Sequence, residues 1–417
     1  MIRRFLYMVD IFDKSHGPIS RRLRRINPSH LFYPNDALPV PQSSSSATVV
    51  EDAPLPPIDM TFCGSTEFMR RSDDKIVSVD RTTRRAILYD PAEHTVRVLP
   101  SMVEYKFWTK SFAVGDDLYV METIPLPDKV DLGRDARPGR SFEALIHREP
   151  RPVDGDRIED ECYWRPLPPP PYVHAAGIRT DGQICGYAVV GESHILVSTH
   201  SYGAYSFDTA SAAWSKVGDW ALPFCGRAEF VPEHGLWLGL SVADDGVLGA
   251  WDLSSTIHHQ QPPPVAHHGC KGFAVPEVPY ASHVVHLGAG KLCVAKLFMV
   301  AHHRETCSHS CCDFDSDKRY FAILTGVEVV RCNGDKVDII KHKSCRYSFV
   351  GSDPEPLLDT TAGVLLPLPP DSCNSIYGTY SVGVFQARIS RKQGVDEVMD
   401  NSAGSTMRTG WSGEMDQ

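Results

Sequence analysis

"YGAYSFDTASAAWSKVGDWALPF", Tyr202–Phe224, carries an aromatic, an Asp-Thr pair, a tryptophan seven residues after Phe207 and a Gly-Asp-Trp corner. It is either a site that does chemistry or one tooth of a repeat. Its partial copies decide for the repeat. "YDPAEHTVRVLP" places Val96 seven residues after Tyr89, "WDLSS" begins the same way at Trp251, and "YWRPLPPPP" supplies the ending, with Trp164–Pro168 matching Val96–Pro100. The physical reading is a hairpin. Asp caps its own turn by accepting nearby backbone N–H groups, while Pro or Thr sets the bend. The aromatic before the turn and the large residue after it then face one another across two strands, a pairing that contributes about 0.2–1 kcal/mol.

A second unit precedes the first: a small turn followed by an apolar strand. It reads "SDDKIVSV", "VGDDLYVM", "VGESHILV", "VPEHGLWL" and "LGAGKLCV", and aligning Ile76, Leu118, Ile195, Leu236 and Leu292 gives steps of 42, 77, 41 and 56 residues. Two of these steps fit a propeller blade of about 40–50 residues. The longer two coincide with Leu126–Asp160, dense in Asp, Arg, Gly and Pro around a strand-like Phe142–His147, and with a spacer at Ser254–Pro279. Long helical periodicity is absent, whereas Val, Ile, Tyr and Phe recur in runs bounded by Gly, Asp and Pro. Two hairpins make a four-stranded sheet that cannot cover its own faces, so neighbouring sheets must cover them.

The fold class predicted is therefore all-β, a β-propeller of about six four-stranded blades, with five and seven as the alternatives. Five units run from about residue 62 to 350, the last ending in two strands around Asn333-Gly334-Asp335. The sixth is assembled from both ends, "RRFLYMVDIF" or "HLFYP" pairing with "SIYGTYSVGVFQARIS". Closing the ring with N- and C-terminal strands removes exposed edges. The domain spans 1–392 with a disordered insertion near 39–57 and long loops near 126–160 and 301–319, and 393–417 is a disordered tail, since such polar segments bury too little to offset ordering.

These residues resemble a plant family of unknown function expanded in grasses, whose members carry "LFYP", "YWxxLPPPP" and "YSFDTxxxxWSKxGDWxLPFxGRAEFVPExGLWLG". Here the motifs stand at Leu31–Pro34, Tyr163–Pro171 and Tyr205–Gly239, followed by "AWDLSS" and "LTGVEVVR". The resemblance implies a kelch-like or F-box-associated-like propeller without an established activity.

Composition narrows the function. A formal charge of −10 over 417 residues argues against a broad nucleic-acid surface, which relies on Lys and Arg. Arg21-Arg22-Leu23-Arg24-Arg25 is the local exception, either a nuclear-import or phosphate-contacting patch or a solvated loop. The apolar run Phe5–Val9 stops at Asp10, too short for a signal-peptide core. No window approaches the ~20 apolar residues of a membrane span. Twelve cysteines without regular spacing read as reduced thiols, with Cys63, Cys185, Cys225 and Cys293 as small core residues. The expected location is cytoplasmic, with the nucleus as the alternative.

Candidate chemistry is sparse. Cys307, His309, Cys311 and Cys312, beside His302 and His303, offer zinc-type donors, but they fall in one short polar loop with no second spaced pair. His258, His259, His267, His268 and Cys270 straddle a proline run that reads as an extended, solvated spacer. "GESHI" lacks the second glycine of a nucleophile elbow, and "LGAGKLC" lacks the Ser or Thr of a phosphate loop. Asp73-Asp74, Asp116-Asp117 and Asp244-Asp245 occupy turns for backbone reasons. No catalytic, cofactor-binding or metal-binding residue is assigned, and no enzyme is expected. The function read from the sequence is a scaffold that binds unidentified protein partners through its rim loops, without nucleic acid or membrane. The alternative is a small-ligand binder or enzyme that uses polar residues converging on a central channel.

Overall fold

A computed structural model describes residues 5–12, 20–34, 49–64, 66–106, 108–126, 140–148, 152–153, 157–158, 162–174, 182–243, 246–257, 262–270, 279–301, 318–331, 337–349 and 352–356. The chain opens with the antiparallel pair β1 (Leu6–Phe12) and β2 (Ser20–Ile26). β3 (Val50–Ala53) leaves for a distant sheet, and β4 (Ile58–Cys63) returns to pair with β2. The first repeat sheet is β5 (Thr66–Arg70), β6 (Ile76–Asp80), β7 (Ala86–Asp90) and β8 (Thr95–Leu99) in that order. The second is β9 (Thr109–Val114), β10 (Asp117–Glu122), β11 (Phe142–His147) and β14 (Cys162–Pro166), interrupted by the small pair β12 (Pro152–Val153) and β13 (Arg157–Ile158).

The third sheet is β15 (Ile184–Val190), β16 (His194–Thr199), β17 (Gly203–Asp208) and β18 (Ala213–Gly218); the fourth is β19 (Phe224–Val231), β20 (Leu236–Ser241), β21 (Leu248–Trp251) and β22 (Ala266–Cys270). Parallel pairing of β15 with β19 joins these two through their first strands. Gly186 permits that approach, because a Cβ there would stand 2.6 Å from the Phe224 carbonyl oxygen. The fifth sheet is β23 (Ala281–Gly288), β24 (Lys291–Ala301), β25 (Lys318–Arg331) and β26 (Val337–Phe349), with β3 added parallel to β26. Last comes β27 (Ser352–Pro356), antiparallel to β1, so that one terminal sheet has the order β27-β1-β2-β4. The fold is all-β and propeller-like, built from several four-stranded sheets, with no α-helix among the described residues.

Both sequence repeats have a fixed place in these sheets. The turn-plus-strand unit enters the second strand each time, β6, β10, β16, β20 and β24. The aromatic-Asp unit closes the third strand and turns into the fourth. Phe207 lies opposite Trp214 and Tyr89 opposite Val96. Asp208 accepts from the Ala210 amide at 3.0 Å and the Ser211 hydroxyl at 2.6 Å, and Asp90 accepts from the Ala92 amide at 3.0 Å. Four residues beyond each Asp, His94 and Ala212 take the left-handed conformation with φ of 52° and 53°. Two loops of different sequence thus make the same turn. Gly203, φ +83°, starts the hairpin against Gly218, whose carbonyl leaves no room for a Cβ.

Packing follows the sheets in chain order. Met69, Val77 and Leu88 meet Leu118, Leu145 and Trp164 between the first and second sheets. Phe112, Tyr119 and Phe142 meet Ile195, Tyr205 and Phe207 between the second and third. Leu196 and Val217 meet Trp237 and Trp251 between the third and fourth, and Leu238 and Leu248 meet Val294 and Val327 between the fourth and fifth. The terminal sheet packs on both sides, through Leu6 and Met8 onto the fifth sheet and through Val9, Leu23 and Phe62 onto Phe68 and Tyr89 of the first. Truncating one of these aromatics to Ala costs about 3–5 kcal/mol.

Two indoles repeat an inter-sheet bond. Trp164 Nε1 donates to the Pro100 carbonyl at 2.9 Å, and Trp214 Nε1 donates to the Pro168 carbonyl at 2.9 Å. Pro100 and Pro168 are the equivalent residues that follow the previous sheet's outer strand. The sequence alignment of Trp164–Pro168 on Val96–Pro100 is therefore structural.

Several expectations change. Arg21–Arg25 forms most of β2 rather than a loop, because the whole stretch is paired with β1 and Arg21–Arg24 with β4 on the other side. Val50–Ala53, inside the segment 39–57 read as unstructured, is held by backbone pairing to β26. "HLFYP" is not a strand. Pro28–Leu31 makes a single 3-10 turn that seats Leu31 in the core against Gly326, where any Cβ would meet the Leu31 carbonyl. The supposed spacer ends in β22, paired to β21 from Leu248↔Cys270 to Trp251↔Ala266. Cys185 and Cys293 are buried as expected, but Cys63 is exposed and Cys225 half-buried. The segment "SIYGTYSVGVFQARIS" and the tail 393–417 lie outside the described residues, and β1 pairs with Ser352–Pro356 instead.

Candidate functional site

The basic stretch of β2 is consumed by structure. The Asp10 carboxylate is fully buried and accepts from Arg22 and from Arg24 Nε, the latter at 3.0 Å. Arg21 donates to the Gly64 carbonyl at 3.0 Å, and Arg25 stands 3.6 Å from Asp59 and over the Phe5 ring. These guanidinium groups cross-link the terminal sheet.

Cys307, His309, Cys311 and Cys312 lie outside the described residues, as do His302, His303, His258, His259, Asp244 and Asp245. Among the described residues no group of three or more His, Cys, Asp or Glu is placed to hold a metal. Asp73 accepts from Arg71 Nε at 3.2 Å and Asp74 from Arg70 Nε at 3.1 Å within their own turn, and Asp117 accepts from the His147 amide at 2.7 Å across to β11. Segments 126–160 and 301–319 are described only in part.

The sequence reading missed a polar convergence on the first strands of the sheets. β5 lies beside β9, β9 beside β15, β15 beside β19 and β19 beside β23. On these strands stand Glu67, Arg70, Thr109, Lys110, Arg227, Glu229 and His283. Glu67 accepts from Arg81 at 2.8 and 2.6 Å and from the Thr109 hydroxyl at 2.5 Å. The Lys110 ammonium sits 5.1 Å from the centre of the Tyr187 ring, within cation–π range, and Tyr187 is registered against Arg227. Arg227 Nε lies 3.3 Å from Glu229.

Electrostatics link strands that are remote in sequence. Burial pulls the Arg70 guanidinium below its ordinary pKa, opposed by the charges of Glu229 and Asp74 and reinforced by Arg227. His283 is pushed down to about 4 by burial, with a further contribution from the Lys110 charge. Its Nε2 is closed off from solvent and has no hydrogen-bond partner among the described residues. The neutral imidazole is therefore the form present at neutral pH. A sequence signal did exist: "TEFMR", "TKSFAV" and "FCGRAEFV" each put a charge inside an apolar first strand. Read singly, each looks like an ordinary half-exposed strand.

The other notable surface flanks β8. Val96 and Val98 are 49% and 80% exposed, and on the opposite face of the strand, that of Thr95 and Arg97, a cleft of about 270 Å³ is lined also by Arg71, Asp73, Lys75, Asp90 and His147. Lys75 reaches Asp90 at 3.4 Å and Asp73 at 3.7 Å.

The family model for a protein of unknown function (DUF1668) matches residues 3–347. No curated protein matches the chain. No described helix is long and apolar enough to cross a membrane.

Proposed function

The chain belongs to the DUF1668 family, whose function is unknown, and from that premise we propose a non-enzymatic scaffold that binds an extended, acidic segment of a partner protein along the edge of β8. In this reading six four-stranded sheets are the blades of one propeller, closed by the pairing of β1 with β27. The order of the sheets and the packing of the terminal sheet on both the fifth and the first support that ring.

The observation that carries the binding reading is β8 itself. It is the last strand of its sheet, no described strand pairs with its outer edge, and it displays Val96 and Val98. An edge with unpaired backbone groups is a template for an added strand, with affinity from main-chain bonds and specificity from side-chain pockets. The chain already uses this mode on itself, where β3 adds to β26. The cleft beside β8 has three permanent cations, Arg71, Lys75 and Arg97, against two carboxylates, Asp73 and Asp90, which favours acidic side chains in the added strand. Segments 126–160 and 301–319 are proposed to widen the contact from the rim.

The test is quantitative affinity purification with wild type, with Val96→Asp/Val98→Asp, and with Val242→Asp as a control at a different exposed valine, followed by hydrogen exchange on the purified complex. Loss of a partner in the double variant alone, with new protection of residues 95–99, is the expected result. Equal retention by all three proteins, or a bound partner that leaves 95–99 unprotected, overturns it.

A further inference from the structure

We propose that His342 on β26 is a pH-operated latch for the segment Phe32–Pro34, which docks on the fifth sheet directly after the 3-10 turn Pro28–Leu31. This device is separate from the β8 edge and does not depend on it.

The bond that closes the latch fixes the tautomer of the imidazole. The Tyr33 amide donates to His342 Nδ1 at 3.2 Å. A backbone amide N–H can only donate, so Nδ1 carries a lone pair and the ring proton sits on Nε2, which donates to Glu328 of β25 at 3.0 Å. Phe32 meets the imidazole edge-on with ring centres 5.0 Å apart, and Tyr33 stacks on it at 6.0 Å. The His342 side chain is 1% exposed beneath this cover. Leu31, one residue earlier, is held separately in the core with its carbonyl against Gly326. The turn therefore has an anchor of its own, and the latch governs the residues after it.

Protonation reverses one bond. A second proton can enter only at Nδ1, and the imidazolium then presents N–H to the amide N–H of Tyr33, donor to donor. The bond to Glu328 survives, since Nε2 donates in both states. The ionisable groups around the ring are Glu328 of β25, Lys291 of β24, Lys341 and Lys343 of β26 and the Tyr33 phenol, while His30 of the turn is exposed. Lys291 and Lys343 place their ammonium groups 5.0 and 5.2 Å from the Phe32 and Tyr33 ring centres, so the docked rings also cover two cations. Burial first, and then the Lys291 charge, hold His342 below its ordinary 6.5 against the opposing pull of Glu328. The neutral, latched form thus stands at neutral pH. Its contribution is complete above 6.5 and is lost as the pH falls towards the lower value of the closed form.

The experiment follows hydrogen exchange of the full chain at single-amide resolution from about pH 7.5 down to about pH 4.5, each rate corrected for its intrinsic pH dependence. Protection of the Tyr33 amide should fall by up to about tenfold for each pH unit below 6.5, the limit for one proton taken up on opening. The Phe32 amide, bonded to the Ser29 carbonyl at 3.2 Å, should keep its protection, which separates unlatching from acid melting of the turn. His342→Asn puts a carbonyl oxygen near the Nδ1 position and cannot titrate, so the Tyr33 amide should stay protected with a flat profile. Glu328→Gln removes the charge that favours the imidazolium and should move the fall to lower pH. A flat Tyr33 profile in wild type overturns the proposal without recourse to any variant, as does an equal fall in a folded His342→Asn or a parallel loss at Phe32.

Discussion

Lys106 and Glu143 form an ion pair whose side chains are both 0% exposed, on the connection from β8 to β9 and on β11. Glu143 also accepts from the Val103 amide at 3.0 Å and the Glu104 amide at 2.9 Å, and Lys106 donates to the Glu104 carbonyl at 3.1 Å. One carboxylate thus pins the whole connection to the middle of the second sheet. Burial lowers the Lys106 pKa even with Glu143 alongside, so desolvation outweighs attraction for this ammonium. Removing one partner strands the other charge, and breaking a buried pair in that way costs about 3–5 kcal/mol. Lys106→Met should fall near the lower end, because the two amides still solvate Glu143; Glu143→Gln should fall near the upper end, because the ammonium keeps only a carbonyl. In Lys106→Met/Glu143→Gln no charge is left buried, and the one bond lost, because the two amides donate to different oxygens of Glu143 and glutamine has one, is lost in Glu143→Gln as well and cancels in the cycle. The double variant should therefore be more stable than the sum of single losses implies, by about 2–4 kcal/mol. Urea unfolding followed by tryptophan fluorescence on the four proteins measures that coupling. A coupling below about 0.5 kcal/mol, the level at which independent sites add, would refute the account.

Two local predictions follow from the third sheet's hairpin. The Ser211 hydroxyl, aided by the Ala210 amide, holds the Asp208 carboxyl below its ordinary 3.8. Its contribution is therefore present above pH 3.8 and lost as the pH falls through the folded value; Asp208→Ala should cost about 1 kcal/mol at pH 7, with the gap to wild type closing in urea titrations taken from pH 5 downwards. Gly203→Ala should destabilise by more than about 1 kcal/mol, from a positive φ and a Cβ directed at the Gly218 carbonyl, and a thermal melt indistinguishable from wild type would show that the hairpin shifts freely.

The part of the fold legible in the sequence is the part that is local. Phe207, Asp208 and Trp214 lie within eight residues, and a turn that satisfies its own amides leaves the same trace wherever it recurs. The last described strand, β27, leaves no such trace. Ser352–Pro356 carries two prolines and reads as a breaker, yet it ends its sheet, where prolines spaced by two can both turn their donor-less nitrogens to the open edge. Its strand character comes from β1. Non-local too is the charged grouping on the first strands: Arg70 on β5 and Glu229 on β19 are more than 150 residues apart, yet the Glu229 charge acts on the Arg70 guanidinium.

The indole series and the basic stretch of β2 solve one problem in two ways. Trp164 and Trp214 each bind the carbonyl of a proline that follows the preceding sheet's outer strand. The first sheet has Val96 at the equivalent position, so it cannot make that bond to the terminal sheet before it. That seam joins its apolar cluster, Val9, Leu23, Phe62, Phe68 and Tyr89, to polar bonds of another kind. Tyr89, fully buried on β7, donates to Asp59 of β4 at 2.7 Å, Asp59 is within 3.6 Å of Arg25, and the next arginine along, Arg24, is tied to Asp10 on β1. Tyr89, Asp59 and Arg25 thus tie the first sheet through β4 to β2, and Arg22 and Arg24 separately tie β2 to Asp10 of β1. Arg21–Arg25, for which the sequence left a basic patch and a solvated loop as alternatives, is strand, and its side chains bond to Gly64, Asp10 and Asp59. The first sheet, with Val96 in place of an indole, leaves Val96 and Val98 exposed on the edge proposed to take a partner strand.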